Sequence, residues 1–213
     1  MALYSVKPRF RQLLAPLATR LRWIHPDAIT AAGFGASVAA WLCLLAADET
    51  RWLLLLVPGW LFARLIFNAL DGLIAQMTGR ARPFGEVLNE GVDRLSDVVL
   101  LFGLGVTSWA SVRWAAVATV VVLLSSYAGL LGKAAGVGRE YGGLLGKADR
   151  MVWLGVAALI AWATGPRWLS IGPVALRWPF EVMLAAFVLL AALTILQRVW
   201  AIRERLARFR GGG

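Results

Sequence analysis

The chain has 213 residues, 60% of them hydrophobic and 16% charged. Soluble domains run about 45–50% apolar and about 25% charged, so an ordinary soluble enzyme with a polar shell is excluded. The formal net charge of +10 comes with no nucleic-acid-binding motif, and in a chain this apolar the cations mark cytoplasmic loops and anionic-lipid contacts instead.

In residues 1–25, Phe10, Leu13, Leu14, Leu17, Leu21 and Ile24 recur at helical spacing among Lys7, Arg9, Arg11, Arg20 and Arg22. This pattern predicts a basic amphipathic helix lying in the membrane surface, bent or interrupted at Pro16, and not a signal peptide, because no apolar core follows the basic residues directly. Six apolar runs of about 19 residues follow, each matching the ~20 residues that cross a bilayer as a helix. They are predicted at 29–47, 52–75, 87–107, 112–131, 151–165 and 180–201. The fold class is therefore an all-α integral membrane protein: an interfacial helix over 1–25, one six-helix transmembrane domain over 26–210, and a short tail of Gly211, Gly212 and Gly213. An even number of spans puts both termini on one side. The segments on that side hold 17 of the 22 Lys and Arg residues, the opposite loops hold Arg51, Arg113, Arg167 and Arg177, and Arg64 lies within a span. The imbalance places both termini in the cytoplasm. Trp23, Trp52, Trp109, Trp114, Trp168, Trp178 and Trp200 fall near the predicted ends, as an aromatic belt requires. Cys43, the only cysteine, lies in an apolar run and excludes an internal disulfide. Cys43, Met77 and His25 read as structural.

Five of the 12 acidic residues, Asp71, Glu86, Glu90, Asp93 and Asp97, lie between positions 71 and 97 and flank the second and third predicted spans. An ionised carboxylate in a membrane helix costs a few kcal/mol unless it faces a protein interior or an aqueous cavity. At about 100° per residue, Glu86, Glu90, Asp93 and Asp97 share one face roughly 60° wide, with Asn89 beside it. Asn68, Asp71 and Ala75 share a face of the preceding helix. Two antiparallel helices bring such faces together as a cluster of hard oxygen donors, and carboxylates that close stay ionised only with cations among them. With no histidine or cysteine nearby, such a site suits Mg²⁺ or Mn²⁺ bound with substrate phosphates. Pairing with Arg80, Arg82 and Arg94 at the interface is the competing reading. It suits Glu86 but not Asp93 and Asp97, which lie deeper in the span. Arg64, one turn before Asn68, is placed to pair with an acid of the cluster.

These residues resemble the signature of the CDP-alcohol phosphotransferase family, D-x2-D-G-x2-A-R-x8-G-x3-D-x3-D. In that register this chain carries Asn68, Asp71, Gly72, Ala75, Gln76, Gly85, Asn89 and Asp93, with five of eight positions matching and no insertion. The entry to the first span, Pro26-Asp27-Ala28-Ile29-Thr30, is similar to the family's Pro-Asn-x-x-Thr. The resemblance implies transfer of a phosphatidyl group from a CDP-linked lipid donor, CDP-diacylglycerol, to the hydroxyl of a small polar alcohol acceptor, with release of CMP. It implies Mg²⁺ or Mn²⁺ as cofactor, Asn68, Asp71, Asn89 and Asp93 as metal ligands, and Asp93 as the catalytic base. It assigns Thr30, Gly72, Ala75, Gln76 and Gly85 to the CDP moiety, and implies a homodimer among membrane lipids.

Two of the four acids are here Asn68 and Asn89, and Gln76 stands where the family has arginine. An amide oxygen still ligates Mg²⁺, but the site loses two negative charges. Glu90 and Asp97 could restore them from the same helix face. Alternatively, Asp93 and Asp97 form the final acidic pair one turn deeper, in a register that gives up Gly85. Arg80, one turn beyond Gln76, is a candidate for the missing guanidinium. Between the fourth and fifth spans Lys133, Arg139, Tyr141, Lys147 and Arg150 are set among Gly132, Gly136, Gly138, Gly142, Gly143 and Gly146. Glycine lets backbone approach an anion, and the cations neutralise it. In related enzymes this region binds acceptor or donor phosphates, so Lys133, Arg139, Lys147 and Arg150 are candidate acceptor or phosphate ligands. Ordinary positive-inside loop charges are the alternative. A catalytically degenerate, lipid- or partner-binding family member is the competing function. A transporter is disfavoured because the acids cluster toward one membrane face in one helix pair.

Overall fold

A computed structural model describes residues 2–171 and 174–211, and local chemistry explains where its helices start. α1 spans Ala2–Arg20, α2 Pro26–Ala46, α3 Val57–Met77, α4 Pro83–Leu104, α5 Val112–Ala134, α6 Lys147–Thr164 and α7 Phe180–Gly211. Helices α2 to α7 overlie the six apolar runs, with shifted ends. Pro26 and Pro83 occupy the first turns of α2 and α4, where a missing N–H costs nothing, and His25 Nδ1 accepts from Asp27 N at 3.3 Å. Pro58 has the same effect in α3. The stretch predicted as one span from 52 is instead a single 3₁₀ turn, Arg51–Leu55, followed by the helix. α6 begins four residues ahead of its apolar run because Gly146 N–H donates to Asp149 Oδ2 at 2.8 Å. Lys147 and Arg150 therefore stand in a helical first turn.

α1 runs through Pro16 without interruption, which excludes the break that was one of the two outcomes expected there. Leu14 and Ala18, on either side of Pro16, are buried in a cluster with Ile29 of α2 and Leu70 and Ile74 of α3, and this packing offsets the one lost backbone bond. Leu13 and Leu17 point away from the protein and remain exposed. Of the predicted tail, Gly212 and Gly213 lie outside the described residues. Between α6 and α7 a short antiparallel hairpin, β1 Arg167–Ile171 and β2 Val174–Trp178, fills what read as a plain loop. Its second strand is tied to the bundle through the buried Glu181, which accepts from Arg177 N at 2.7 Å and Ser111 N at 2.6 Å.

Among the described residues, four stretches are long and apolar enough to cross a membrane: Pro26–Ala46, Arg51–Met77, Val112–Ala134 and Phe180–Arg208. α4 and α6 carry charges in their first turns. α2 packs on α3 and α4, and α5 on α7. A large apolar cluster around Leu44, Leu61, Leu104, Leu154, Phe180 and Phe187 fills the bundle. Small residues such as Ala36, Ala40, Ala118 and Ala158 are buried at these contacts and let the helices approach closely. At Gly103 of α4 the space is filled by α2, since a Cβ there would lie 2.5 Å from the Trp41 indole.

Candidate active site

The end of α3 and the start of α4 run antiparallel around the turn at 78–82, and Thr30 of α2 closes the third side. Asp71 is buried. Its Oδ2 accepts from Thr30 Oγ1 at 2.9 Å and its Oδ1 from Gly72 N at 2.5 Å. Facing it across a small cavity, Asn68 Nδ2 donates to Asn89 Oδ1 at 3.0 Å and to Asp93 Oδ1 at 3.1 Å. Lys147 Nζ from α6 reaches the same Asp93 oxygen, and the buried Arg64 guanidinium lies 3.8 Å from it. Arg64 also donates to Met151 Sδ at 3.0 Å. The cavity, about 10 Å³, is lined by Thr30, Arg64, Asn68, Asp71, Asn89 and Asp93, with room for about one water or ion. The register of spacings along α3 and α4 thus brings Asn68, Asp71, Asn89 and Asp93 together.

Glu90 and Asp97 lie on the same face of α4 but are committed elsewhere. Arg139 grips Glu90 with both guanidinium nitrogens, NH2 at 2.9 Å from Oε1, and Arg94 stands 3.5 Å from Glu90. Asp97, only 1% exposed, pairs with Arg150 at 2.7 Å and with Arg94 at 3.7 Å. Burial lowers the pKa of Arg139, but its hydrogen bond to Glu90 and the charge of that carboxylate outweigh burial and leave it above its ordinary value. Among the described residues, no three carboxylate, histidine or cysteine side chains converge as a metal-binding group. The donor set that fits a hard divalent ion is therefore two carboxylates, Asp71 and Asp93, with the amides beside them.

Residues on the predicted nucleotide side spread along the end of α3. A Cβ on Gly72 would meet no heavy atom within 4 Å, so the helix surface there is open. Ala75 is half-buried, whereas Gln76 and Arg80 are exposed. Gln76 Oε1 accepts from Arg11 of α1 at 3.0 Å. Gly85, in the first turn of α4, lies beside Arg82. Lys133 pairs at the surface with Glu86 at 2.6 Å. The glycine-rich segment after α5 folds back on that helix, with Glu140 N donating to Gly129 O at 3.1 Å. Arg198 of α7 pins it by donating to Gly142 O at 2.7 Å.

Two contributors escaped the sequence reading of the site, while Arg94, named there as an interfacial partner of the acids, is shared between Glu90 four residues before it and Asp97 three after it. Arg198 is a lone cation in an apolar run, the signal that singled out Arg64. Thr194, whose Oγ1 accepts from Leu144 N at 3.0 Å and Leu145 N at 3.1 Å, carries no sequence signal.

No family model matches the chain. It is 33% identical over 187 residues to the inner membrane protein YnbA of Escherichia coli, covering 84% of this chain and 92% of that protein. It is 31% identical over 188 residues to the phosphatidylinositol phosphate synthase of Mycolicibacterium smegmatis, covering 84% of this chain and 78% of that enzyme. The chain belongs to the CDP-alcohol phosphotransferase family. As a CDP-alcohol phosphotransferase family member it is an integral membrane protein. The phosphatidylinositol phosphate synthase of Mycobacterium tuberculosis, PgsA1, shares its fold. The structure of that enzyme with CDP-DAG bound gives a TM-score of 0.69 at 23% identity, covering 90% of this chain and 94% of that one. The structure of PgsA1 in complex with manganese and citrate gives a TM-score of 0.69 at 24% identity, covering 88% of each chain.

Proposed function

We propose that this family member is a divalent-metal-dependent transferase that moves a phosphatidyl group from CDP-diacylglycerol to the hydroxyl of a small polar alcohol and releases CMP. The observation that carries the reading is the meeting of two buried carboxylates, Asp71 and Asp93, with Asn68 and Asn89 at one cavity, in the family's register. We further infer that α2 to α7 are six membrane spans, that α1 lies in the interface, that both termini and the site are cytoplasmic, and that the chain works as a homodimer.

Asp71 and Asp93, with the amide side chains beside them, would hold Mg²⁺ or Mn²⁺, which would supply charge neutralisation of the diphosphate and of the departing CMP. The chain's own residues supply the rest. Thr30 fixes the orientation of Asp71. The open surface at Gly72 admits the nucleotide, with Ala75, Gln76, Arg80 and Gly85 along its path. Asp93 takes the proton of the acceptor hydroxyl; its Oδ1 carries the Lys147 and Asn68 contacts, and Arg94 lies 3.9 Å from Oδ2. Lys133, Arg139, Lys147 and Arg150 stand on the loop side, each paired with an acid of α4, and are the candidate ligands for phosphate on the donor or the acceptor. The names of the mycobacterial relatives support inositol phosphate as the first acceptor to test.

The purified chain in vesicles containing CDP-diacylglycerol is expected to release CMP with Mg²⁺ or Mn²⁺ and at least one of inositol phosphate, glycerol phosphate, inositol or serine. EDTA should stop the release and added Mn²⁺ restore it. Silence with every acceptor would instead support a lipid- or partner-binding member that has lost chemistry, a reading favoured by Asn68, Gln76 and Asn89 at three signature positions.

A further inference from the structure

The family register has four acidic positions, and the structure shows what the two amides do in their place. Asp93 can only accept hydrogen bonds, so Asn68 has to present its NH₂ group to it and keep its own oxygen turned away. A donor thus points at Asp93 where an acid would have offered an acceptor. The same Asp93 oxygen receives Lys147 Nζ, and Arg64 lies 3.8 Å off. Three N–H-bearing groups, two of them cationic, converge on one carboxylate oxygen.

Asp71 is served differently. Its two partners, Thr30 Oγ1 and Gly72 N, are neutral, so its charge is not matched by a contacting cation. The charge arithmetic points the same way. Asp71 and Asp93 balance Lys147 and Arg64 before any metal binds, and one divalent ion balances a substrate diphosphate diester. A second ion would add two positive charges against groups already fixed at contact range, with no carboxylate to offset them. Glu90 and Asp97 offer no spare charge, because Arg94, Arg139 and Arg150 outnumber them.

We propose that this site holds one divalent cation per chain, taken from the Asp71 side, and that the Lys147 ammonium and the Asn68 amide occupy the role of a second. The inference rests on the metal-dependent reading above and concerns how this chain satisfies it. The test is titration of the purified full chain in nanodiscs with Mn²⁺ alone, with free ion counted by electron paramagnetic resonance. One Mn²⁺ per chain is expected for the wild type. The double variant Asn68→Asp/Asn89→Asp is expected to take up two, with the line broadening of a close Mn²⁺ pair. Two ions in the wild type would overturn the inference and leave the metal-dependent reading standing. A double variant that keeps its melting transition but still binds one would also overturn it, and if that variant does not fold the wild-type count decides alone. A wild type that binds none would remove the inference and the metal-dependent reading together.

Discussion

Asp93 and Asp97 lie one turn apart on the same face of α4, yet their surroundings give them opposite duties. Asp93 borders the cavity with Asp71, whereas Asp97 is sealed between Arg150 and Arg94. Replacing Asp97 with asparagine strips two guanidinium groups of a buried partner, a change that costs about 3–5 kcal/mol. Asp97→Asn should therefore lower the melting temperature of the detergent-solubilised protein by several degrees. Asp93→Asn removes the contact carboxylate of Lys147 and of the buried Arg64 and should also lower the melting temperature, but the folded variant should lose about 10²–10⁴-fold in CMP release, the usual worth of a positioned base. Paired melting curves and CMP assays on the two variants check both outcomes. If Asp97→Asn kept its melting temperature and lost turnover, the deeper acidic pair would be the reactive one.

The elements that aim these side chains are held by packing between non-neighbouring segments. The loop before α6 is bolted to α7 at Thr194, and Gly143, at φ 122°, sits so close that a Cβ would lie 2.1 Å from Thr194 Cγ2. Gly143→Ala combines a backbone region closed to L side chains with a steric overlap, and should cost about 3 kcal/mol or more. Thr194→Ala removes the acceptor of two backbone N–H groups and should cost about 1–3 kcal/mol. Folded yield on size exclusion and thermal melting measure both. The effects should be less than additive, because alanine at 194 also removes the methyl that blocks a side chain at 143. This loop also shows where sequence reading stops. The helices were legible because apolar runs of membrane-crossing length have few alternative uses. Asn68, Asp71, Asn89 and Asp93 were legible as a set through the register of the family signature, whereas spacing alone grouped Asp93 with Glu86, Glu90 and Asp97. Their ends were less so, since apolarity does not mark a Gly146–Asp149 cap or the Pro58 start. The fate of Glu90 and Asp97 was invisible, because their partners Arg139 and Arg150 arrive from a loop and a helix some 50 residues on. The β1–β2 hairpin escaped for a similar reason: five-residue strands bearing Trp168 and Trp178 look like interfacial loop.

At the scale of the whole molecule the proposed topology turns on α4, which carries five charged residues. Glu86, Glu90, Asp93, Arg94 and Asp97 all fall in its first 15 residues, and the remainder, Val98 to Leu104, is apolar. Each of these charges has an ionic partner on another helix, in the loop or on α4 itself, so lipid need not solvate them. Glu86 lies at the surface, and the deeper acids face protein. If the 78–82 turn is cytoplasmic, as proposed from the positive-inside imbalance, a crossing α4 places the start of α5 outside. Single cysteines in a Cys43→Ser background test this directly, at the exposed positions Ala81 between α3 and α4, Arg113 at the start of α5, and Ser170 on β1. A membrane-impermeant maleimide added to intact spheroplasts should label Arg113→Cys and Ser170→Cys, and should reach Ala81→Cys only after lysis. Equal labelling of Ala81→Cys and Arg113→Cys would mean that α4 does not cross. Labelling of Ala81→Cys alone would invert the chain and move the Asp71–Asp93 cavity to the outer face, away from cytoplasmic nucleotide-linked donors.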